Sequence, residues 1–383
     1  MRVAHLINSL DPAQGGPPAV VMRLASAQAS SGATIMLVAP HPQSQLDAVQ
    51  KSLEQVRGME RVNVTFIAPD RNVASVLSEA NVDLLHVHGL WQPRLLFALR
   101  WARQNEVPFL IPPHGMLSQW SLRQKPVRKR LALAMGWRGL LTKAAYVHAL
   151  NEIEASDIRK VEPRARIAVL PNGIDTAEFP TEVSAELIRD MSAGRRYVLF
   201  LARLHHVKAP DLAVDAFATI ASSLPDVDLI VAGPDEGERA NVIARVAQLG
   251  LGNRIRIVGP MYGPAKFALL RNTVCVIQPS RHETQSVTLL EALASGTPLV
   301  MTAACNFPEA QTAGAAIVTA GSPESLGKAL QALLTDPELR RTSSERGRHL
   351  VADKFQWSRI GERFLDLYRS CSGAALANGA TVF

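Results

Sequence analysis

At 383 residues the chain is long for one domain, and it predicts two. Apolar residues at 47% and charged residues at 20% are ordinary globular proportions that exclude disorder, and no run of about twenty apolar residues predicts a membrane span. The formal charge of +7 favours an anionic partner (phosphorylated ligand, acidic membrane surface or nucleic acid), while Cys275, Cys305 and Cys371 are too scattered for a disulfide framework or zinc cluster and fit a reducing cytoplasm.

The opening MRVAHLINSL reads as a buried strand and lacks the long apolar run and cleavage site of a secretory signal. Strands are expected at Arg2 to Asn8, Thr34 to Ala39, Val62 to Ile67, Asp83 to His88, Pro108 to Pro112 and Ala145 to Leu150. Helical patterns fall between them, which predicts a parallel sheet with crossover helices. The alternation restarts at Arg196, with strands expected at Tyr197 to Ala202, Val227 to Ala232, Ile255 to Val258, Val274 to Gln278, Leu299 to Thr302 and Ala316 to Ala320. A polar join lies near residues 171 to 194. The expected fold class is α/β: two Rossmann-like, doubly wound parallel-sheet domains, 1–178 and 190–355, facing across a cleft. Such domains bind ligands beyond the carboxyl ends of their strands.

After the first strand, Gly15 and Gly16 let backbone approach a ligand closely before a helix starting at Pro17 or Pro18. The stretch is neither a dinucleotide fingerprint nor a P-loop, so a plain tight turn is the competing reading. His86 and His88 should face the same way, but no third ligand suggests a metal. His114, just past the next strand, is placed to donate to a hydroxyl or phosphate; a structural histidine bonded within its loop is the alternative.

Residues 121 to 145 carry Arg123, Lys125, Arg128, Lys129, Arg130, Arg138 and Lys143 and no acidic residue. With Trp120, Trp137 and several leucines they resemble an interfacial membrane helix; a solvated basic face is the alternative, and no nucleic-acid motif accompanies the charge. Arg203 and Lys208 follow the first strand of the second half and are placed to neutralise a diphosphate without a divalent metal. Asp226 and Asp228 mark the entry to a strand and not a metal-binding pair, and Gly259, which closes a strand, is expected to edge a nucleotide base. In RHETQSVTLLEALASGTPLV, Ser286 should cap a helix, Glu283 precedes it and Glu291 lies inside it. The amides near Thr284, Gln285 and Ser286 form an anion-binding helix start.

The Glu283/Glu291 pair, the Gly15-Gly16 loop, PHGM at His114, PNGID at 171–175 and the Arg203/Lys208 pair together resemble the family 4 retaining glycosyltransferases of GT-B fold. The segment of about 356–372 is similar to the family's helix that packs back on the first domain. The resemblance implies transfer of a hexosyl group from a nucleotide-diphosphate sugar with retention and without a metal or other cofactor. It implies that Arg203 and Lys208 hold the diphosphate, Glu291 the ribose, and Glu283 and His114 the donor sugar, while Gly15 and Gly16 cradle phosphate. Thr284-Gln285-Ser286 departs from the Gly-Phe-Gly that many relatives carry, which bears on donor identity. The expected acceptor is a polyprenyl-diphosphate-linked saccharide, handled in exopolysaccharide assembly at the anionic inner membrane surface, with no nucleic acid involved. A nucleotide-sugar epimerase and a non-catalytic nucleotide-sugar-binding protein are the rival functions.

Overall fold

The computed structural model describes residues 1–42, 45–180 and 185–371. Residues 181–184 of the expected join and residue 372 of the expected last helix lie outside them. The chain forms two compact units, Met1–Gly173 together with the segment from Trp357, and Ile174–Gln356. The switch between them falls within PNGID: Ile174 bridges to Gln356 and donates its N–H to the Phe355 carbonyl at 2.7 Å, which draws the chain after Gly173 into the second unit.

The first unit contains β1 (Arg2–Ile7), β2 (Thr34–Pro40), β3 (Asn63–Ile67), β4 (Leu84–His88), β5 (Phe109–Ile111), β6 (Tyr146–Ala149) and β7 (Ile167–Val169). All pair in parallel, in the order β3-β2-β1-β4-β5-β6-β7. Six of these strands match the sequence pattern. β7 was not expected from the sequence. Ala4, Leu6, Leu85, Val87, Val147 and Ala149 point from one face into an apolar cluster. The alternate positions carry His5, His86, His88 and His148, all buried on the other face. That face lies near the helices Gly16–Ser30 and Trp357–Cys371, whose Gln28 and Tyr368 reach the histidines.

The second unit repeats the plan with β8 (Arg196–Leu201), β9 (Val227–Ala232), β10 (Ile255–Gly259), β11 (Cys275–Gln278), β12 (Leu299–Thr302) and β13 (Ala316–Thr319), ordered β10-β9-β8-β11-β12-β13. Its strands alternate cleanly. Tyr197, Leu199 and Leu201 enter one core, and Val198 and Phe200 the other. Both faces are therefore covered, as a wholly parallel sheet requires.

In each unit the strand order reverses between two neighbours, β1 and β4 in the first and β8 and β11 in the second. The loops leaving those strands diverge and open a crevice at their carboxyl ends. Beside the second crevice, Gly233 (φ +154°) follows β9 so closely against β8 that a Cβ would lie 1.8 Å from the Ala202 carbonyl oxygen. Only glycine fits. Gly233→Ala should therefore destabilise the protein by about 3 kcal/mol or more, read as a lowered denaturant midpoint; an unchanged midpoint would show that the two strand ends tolerate separation.

Asp228 lies inside β9, buried, with Arg195 at 3.0 Å and Arg254 at 3.1 Å, and Asp226 pairs with Arg196 at 2.9 Å. These carboxylates pair with guanidinium groups at the amino end of the sheet, away from the crevice. They form a structural ion cluster.

Candidate active site

The crevice of the second unit is built from the loops after β8 and β11. Arg281 locks them together: its N–H donates to the Val207 carbonyl (2.8 Å) and its guanidinium pairs with Asp211 (2.7 Å). Behind the loop, Thr302 Oγ1 donates to the Ser280 carbonyl at 2.6 Å. This bracing fixes Glu283, whose Oε1 accepts from Lys208 Nζ (2.5 Å), Ser280 Oγ (2.8 Å) and Gln278 Nε2 (3.0 Å). The Lys208 and Glu283 side chains are only 15% and 8% exposed. A buried ion pair holds its geometry at a desolvation cost.

Sequence reasoning joined Arg203 with Lys208. The structure gives them different carboxylates. Arg203 is half exposed and pairs with Glu236 of the AGPDEG turn, whereas Lys208 is held by Glu283. Gly259, at the carboxyl end of β10, has φ +78° and open space where a side chain would stand, and its carbonyl accepts from the Gly233 N–H at 2.7 Å.

Thr284, Gln285 and Ser286 lead into the helix Val287–Ala294. Ser286 occupies the cap position but does not cap with its side chain; its hydroxyl donates to Gln278 Oε1 at 3.2 Å. Gln278, fully buried, offers the hydroxyl a nearby acceptor, so Ser286 helps hold Gln278, which in turn holds Glu283. One turn into the helix, Glu291 accepts from Lys266 Nζ at 2.6 Å, and both side chains are largely buried. Lys266, Gln278 and Ser280, which the sequence did not flag, are the partners of these two carboxylates. Ser280 was readable in principle, three residues before Glu283; Lys266 lies on another helix and carries no local signal.

In the first unit, Gly15 (φ +89°) and Gly16 both leave open space where a Cβ would stand. The helix begins at Gly16 itself, earlier than the two prolines suggested, because Pro17 and Pro18 fit the first turn, where N–H groups are not needed. His114 sits in left-handed backbone (φ +50°) beyond β5. Its loop is pinned by Glu154, which accepts the Gly115 N–H at 2.6 Å and the Leu150 N–H at 2.8 Å. Burial pushes the Glu154 carboxyl up to about 7 against these two bonds. Glu154 is the N3 residue of a helix capped by Asn151, a pattern visible in the sequence.

His86 and His88 do face the same way, and the third imidazole is His5 on the neighbouring strand, directly opposite His86. Their ring nitrogens lie within 4.8 Å of one another. His5 engages His88 (2.9 Å) and Gln28 (2.7 Å), and His88 engages His5 and His114 (3.2 Å). The His5 and His88 nitrogens are thus engaged, and His86 Nδ1 meets the Tyr368 hydroxyl at 2.7 Å.

The basic segment comprises the short helices Gln119–Arg123, Pro126–Ala132 and Arg138–Lys143, the latter two joined by a π-turn at Leu133–Trp137. Arg123, Lys125, Arg128 and Arg130 are exposed. Two of the residues expected to contact a membrane are not free to do so. Trp137 is buried in the core, edge-on to Trp91 at 6.1 Å, because Gly136 (φ +143°) kinks the chain and turns the indole inward. Lys129 is half buried, donating to the Ser121 carbonyl at 2.6 Å and lying over the Trp91 ring. The exposed apolar positions are instead Val127, Leu131 and Met135, spaced one turn apart, and Trp120.

No helix among the described residues is long and apolar enough to cross a membrane. Cys275, Cys305 and Cys371 are free thiols, all buried.

Two switch-point crevices, one with paired buried cations and carboxylates, belong to the GT-B glycosyltransferase class, and the comparisons with known proteins agree. A model of the glycosyl transferase 4-like domain matches residues 15–173, and one of the glycosyl transferases group 1 matches residues 188–350. Together the two glycosyltransferase models account for most of the chain, which is a glycosyltransferase of GT-B fold. Among its relatives, a D-inositol 3-phosphate glycosyltransferase of Salinispora tropica is 28% identical over 82% of this chain and 69% of its own length. A GDP-mannose-dependent alpha-(1-6)-phosphatidylinositol dimannoside mannosyltransferase of Mycobacterium tuberculosis is 25% identical over 95% of both chains. The structure of Anabaena HepE in complex with UDP and glucose superposes with a TM-score of 0.77 at 20% identity, over 97% of this chain and all of that one.

Proposed function

We propose that this glycosyltransferase is a retaining, metal-independent hexosyltransferase that takes its sugar from a UDP- or GDP-sugar. In this reading the acceptor is a hydroxyl of a saccharide on a polyprenyl diphosphate, and the work is polysaccharide assembly at the cytoplasmic face of the membrane. The observation that carries it is the buried Lys208–Glu283 pair at the carboxyl ends of β8 and β11, with Glu291 and Lys266 on helices of the same unit. Lys208 has three protons and keeps one on Glu283 while presenting others to a diphosphate. Arg203, half exposed, leaves Glu236 to do the same. Two such cations offset the charge that grows on the departing nucleotide, the task a divalent ion performs elsewhere. Glu283 and Glu291, acceptors only when ionised, take hydrogen bonds from donor-sugar and ribose hydroxyls respectively. His114 contacts the donor sugar, and the Gly15-Gly16 loop leaves room for phosphate and acceptor. The UDP and glucose in HepE and the GDP-mannose in the mycobacterial relative's name support a nucleotide-diphosphate donor.

The test is proton NMR of the product formed from an α-configured donor in the presence of a chelator. An α-linked product at an undiminished rate is expected. A β-linked product, or activity that chelation abolishes and magnesium restores, contradicts the reading; product from donor alone would mark an epimerase.

The membrane part rests on Val127, Leu131 and Met135 standing exposed among Arg123, Lys125, Arg128 and Arg130. Replacing Arg128 and Arg130 by glutamate should weaken binding to vesicles containing phosphatidylglycerol by about fivefold or more per lost charge. Leu131→Asp should weaken it as well, and zwitterionic vesicles should bind poorly throughout. Vesicle binding that ignores all three changes would leave the segment as a solvated basic face.

A further inference from the structure

We propose that a buried hydrogen-bond chain running from Tyr368 through Gln28, His5 and His88 sets the tautomer of His114, so that His114 carries its proton on Nε2 and offers Nδ1 as an acceptor. The links are Gln28 Nε2 donating to the Tyr368 hydroxyl (2.9 Å), His5 Nε2 with Gln28 Oε1 (2.7 Å), His5 Nδ1 with His88 Nε2 (2.9 Å), and His88 Nδ1 with His114 Nε2 (3.2 Å). His5, Gln28, His86, His88 and Tyr368 are buried. Burial also holds the imidazoles neutral, with His5 pushed down to about 4 and His114 to about 3. A neutral imidazole has one donor and one acceptor, so fixing one end of such a chain fixes every member. Gln28 Oε1 can only accept, which puts the His5 proton on Nε2 and leaves His5 Nδ1 to accept. His88 then donates from Nε2 and accepts at Nδ1, and His114 donates from Nε2.

The determinant therefore lies far from His114 in sequence. Tyr368, on the helix Trp357–Cys371, receives the Gln28 N–H at 2.9 Å and lies 2.7 Å from His86 Nδ1; in the proposed chain its hydroxyl proton goes to His86 Nδ1, which keeps the amide in this orientation. His86 then carries its proton on Nε2, a buried nitrogen without a partner. Its unmet N–H is the cost of ordering the chain. Tyr368 and Gln28 are positioning residues that act through His114. The consequence for recognition rests on the glycosyltransferase reading: a bare Nδ1 accepts from a sugar hydroxyl and repels a phosphate oxygen. His114 would thus select the sugar part of a nucleotide sugar and not its diphosphate.

The test uses the full chain, labelled with 15N-histidine and free of ligand, in which long-range proton–nitrogen NMR spectra assign each tautomer. The expected wild-type result is a pyrrole-type Nε2 and a pyridine-type Nδ1 at His5, His88 and His114. Tyr368→Phe frees the amide to turn, and His114 should shift to averaged nitrogen signals. Gln28→Glu, which accepts only, should restore the wild-type pattern at His5, His88 and His114 even combined with Tyr368→Phe. If the native protein shows a protonated Nδ1 at His114, or if Tyr368→Phe leaves its signals unmoved, the proposal is wrong. A metal bound by His5, His86 and His88 would also overturn it, because added zinc would broaden or shift those signals. None of these readouts needs a donor sugar, so the tautomer stands or falls separately from the enzymatic reading.

Discussion

Lowering the pH from about 7.5 to about 5.5 should cost the protein roughly 4 to 5 kcal/mol of stability, a large share of what a folded domain possesses. His5, His86, His88 and His148 are buried and their pKa values are depressed, mainly by desolvation; His5 and His148 fall to about 4, and His86 and His88 lie well below 6.5. The sign follows from proton counting. The unfolded chain begins to protonate these rings near pH 6.5 while the folded chain does not, so their stabilising effect is complete above that pH and is lost as the pH falls. Each ring contributes about 1.4 kcal/mol at about one pH unit below 6.5. Glu154 opposes them. Its folded carboxyl lies near 7, above its ordinary value, so it favours the folded state more as the pH falls and offsets about 2 kcal/mol. Half-buried His114 adds in the same direction as the four rings. Urea titrations across this range should show uptake of several protons on unfolding, and a pH-independent midpoint would show that the histidines are not held neutral.

Lys208→Met should lower kcat by about 10² to 10³, or roughly 3 to 4 kcal/mol of transition-state stabilisation, with a smaller change in KM. Methionine keeps an unbranched stem of similar length and removes only the ammonium. Glu283 then keeps its Gln278 and Ser280 donors, so its carboxylate is not left wholly unpaired and the fold should survive. Arg203→Met should cost less. Its guanidinium is half exposed, and water screens a charge that Lys208, mostly buried, presents undiluted. A kcat that falls equally in both variants, or in neither, would mean that the buried position of Lys208 has no catalytic weight.

Much of this architecture is legible in the sequence because parallel strands covered on both faces leave compact apolar runs. Val227–Ala232 and Leu299–Thr302 have the same bounds as the runs read from the sequence. The Glu283/Glu291 spacing is equally local, since one residue lies in a loop and the other a turn into the helix that follows it. Partners across the fold are not legible. Lys266 meets Glu291 from a separate helix, and Tyr368 reaches Gln28 from the opposite end of the chain. Trp137 was misread for a related reason: a helical wheel assumes a continuous helix, and Gly136 breaks it. His5 carried no signal at all, because a single histidine in an apolar strand shows nothing of the two that face it from β4.

The measurement that bears most directly on the central claim is a donor screen of wild type and Glu291→Ala with UDP-, GDP- and ADP-sugars, following nucleotide release with and without membrane lipid extract. The account predicts release from a UDP- or GDP-sugar, enhanced by lipid extract and lost in Glu291→Ala. Tight donor binding without release under any of these conditions would contradict it and leave a protein that binds nucleotide sugars without transferring them.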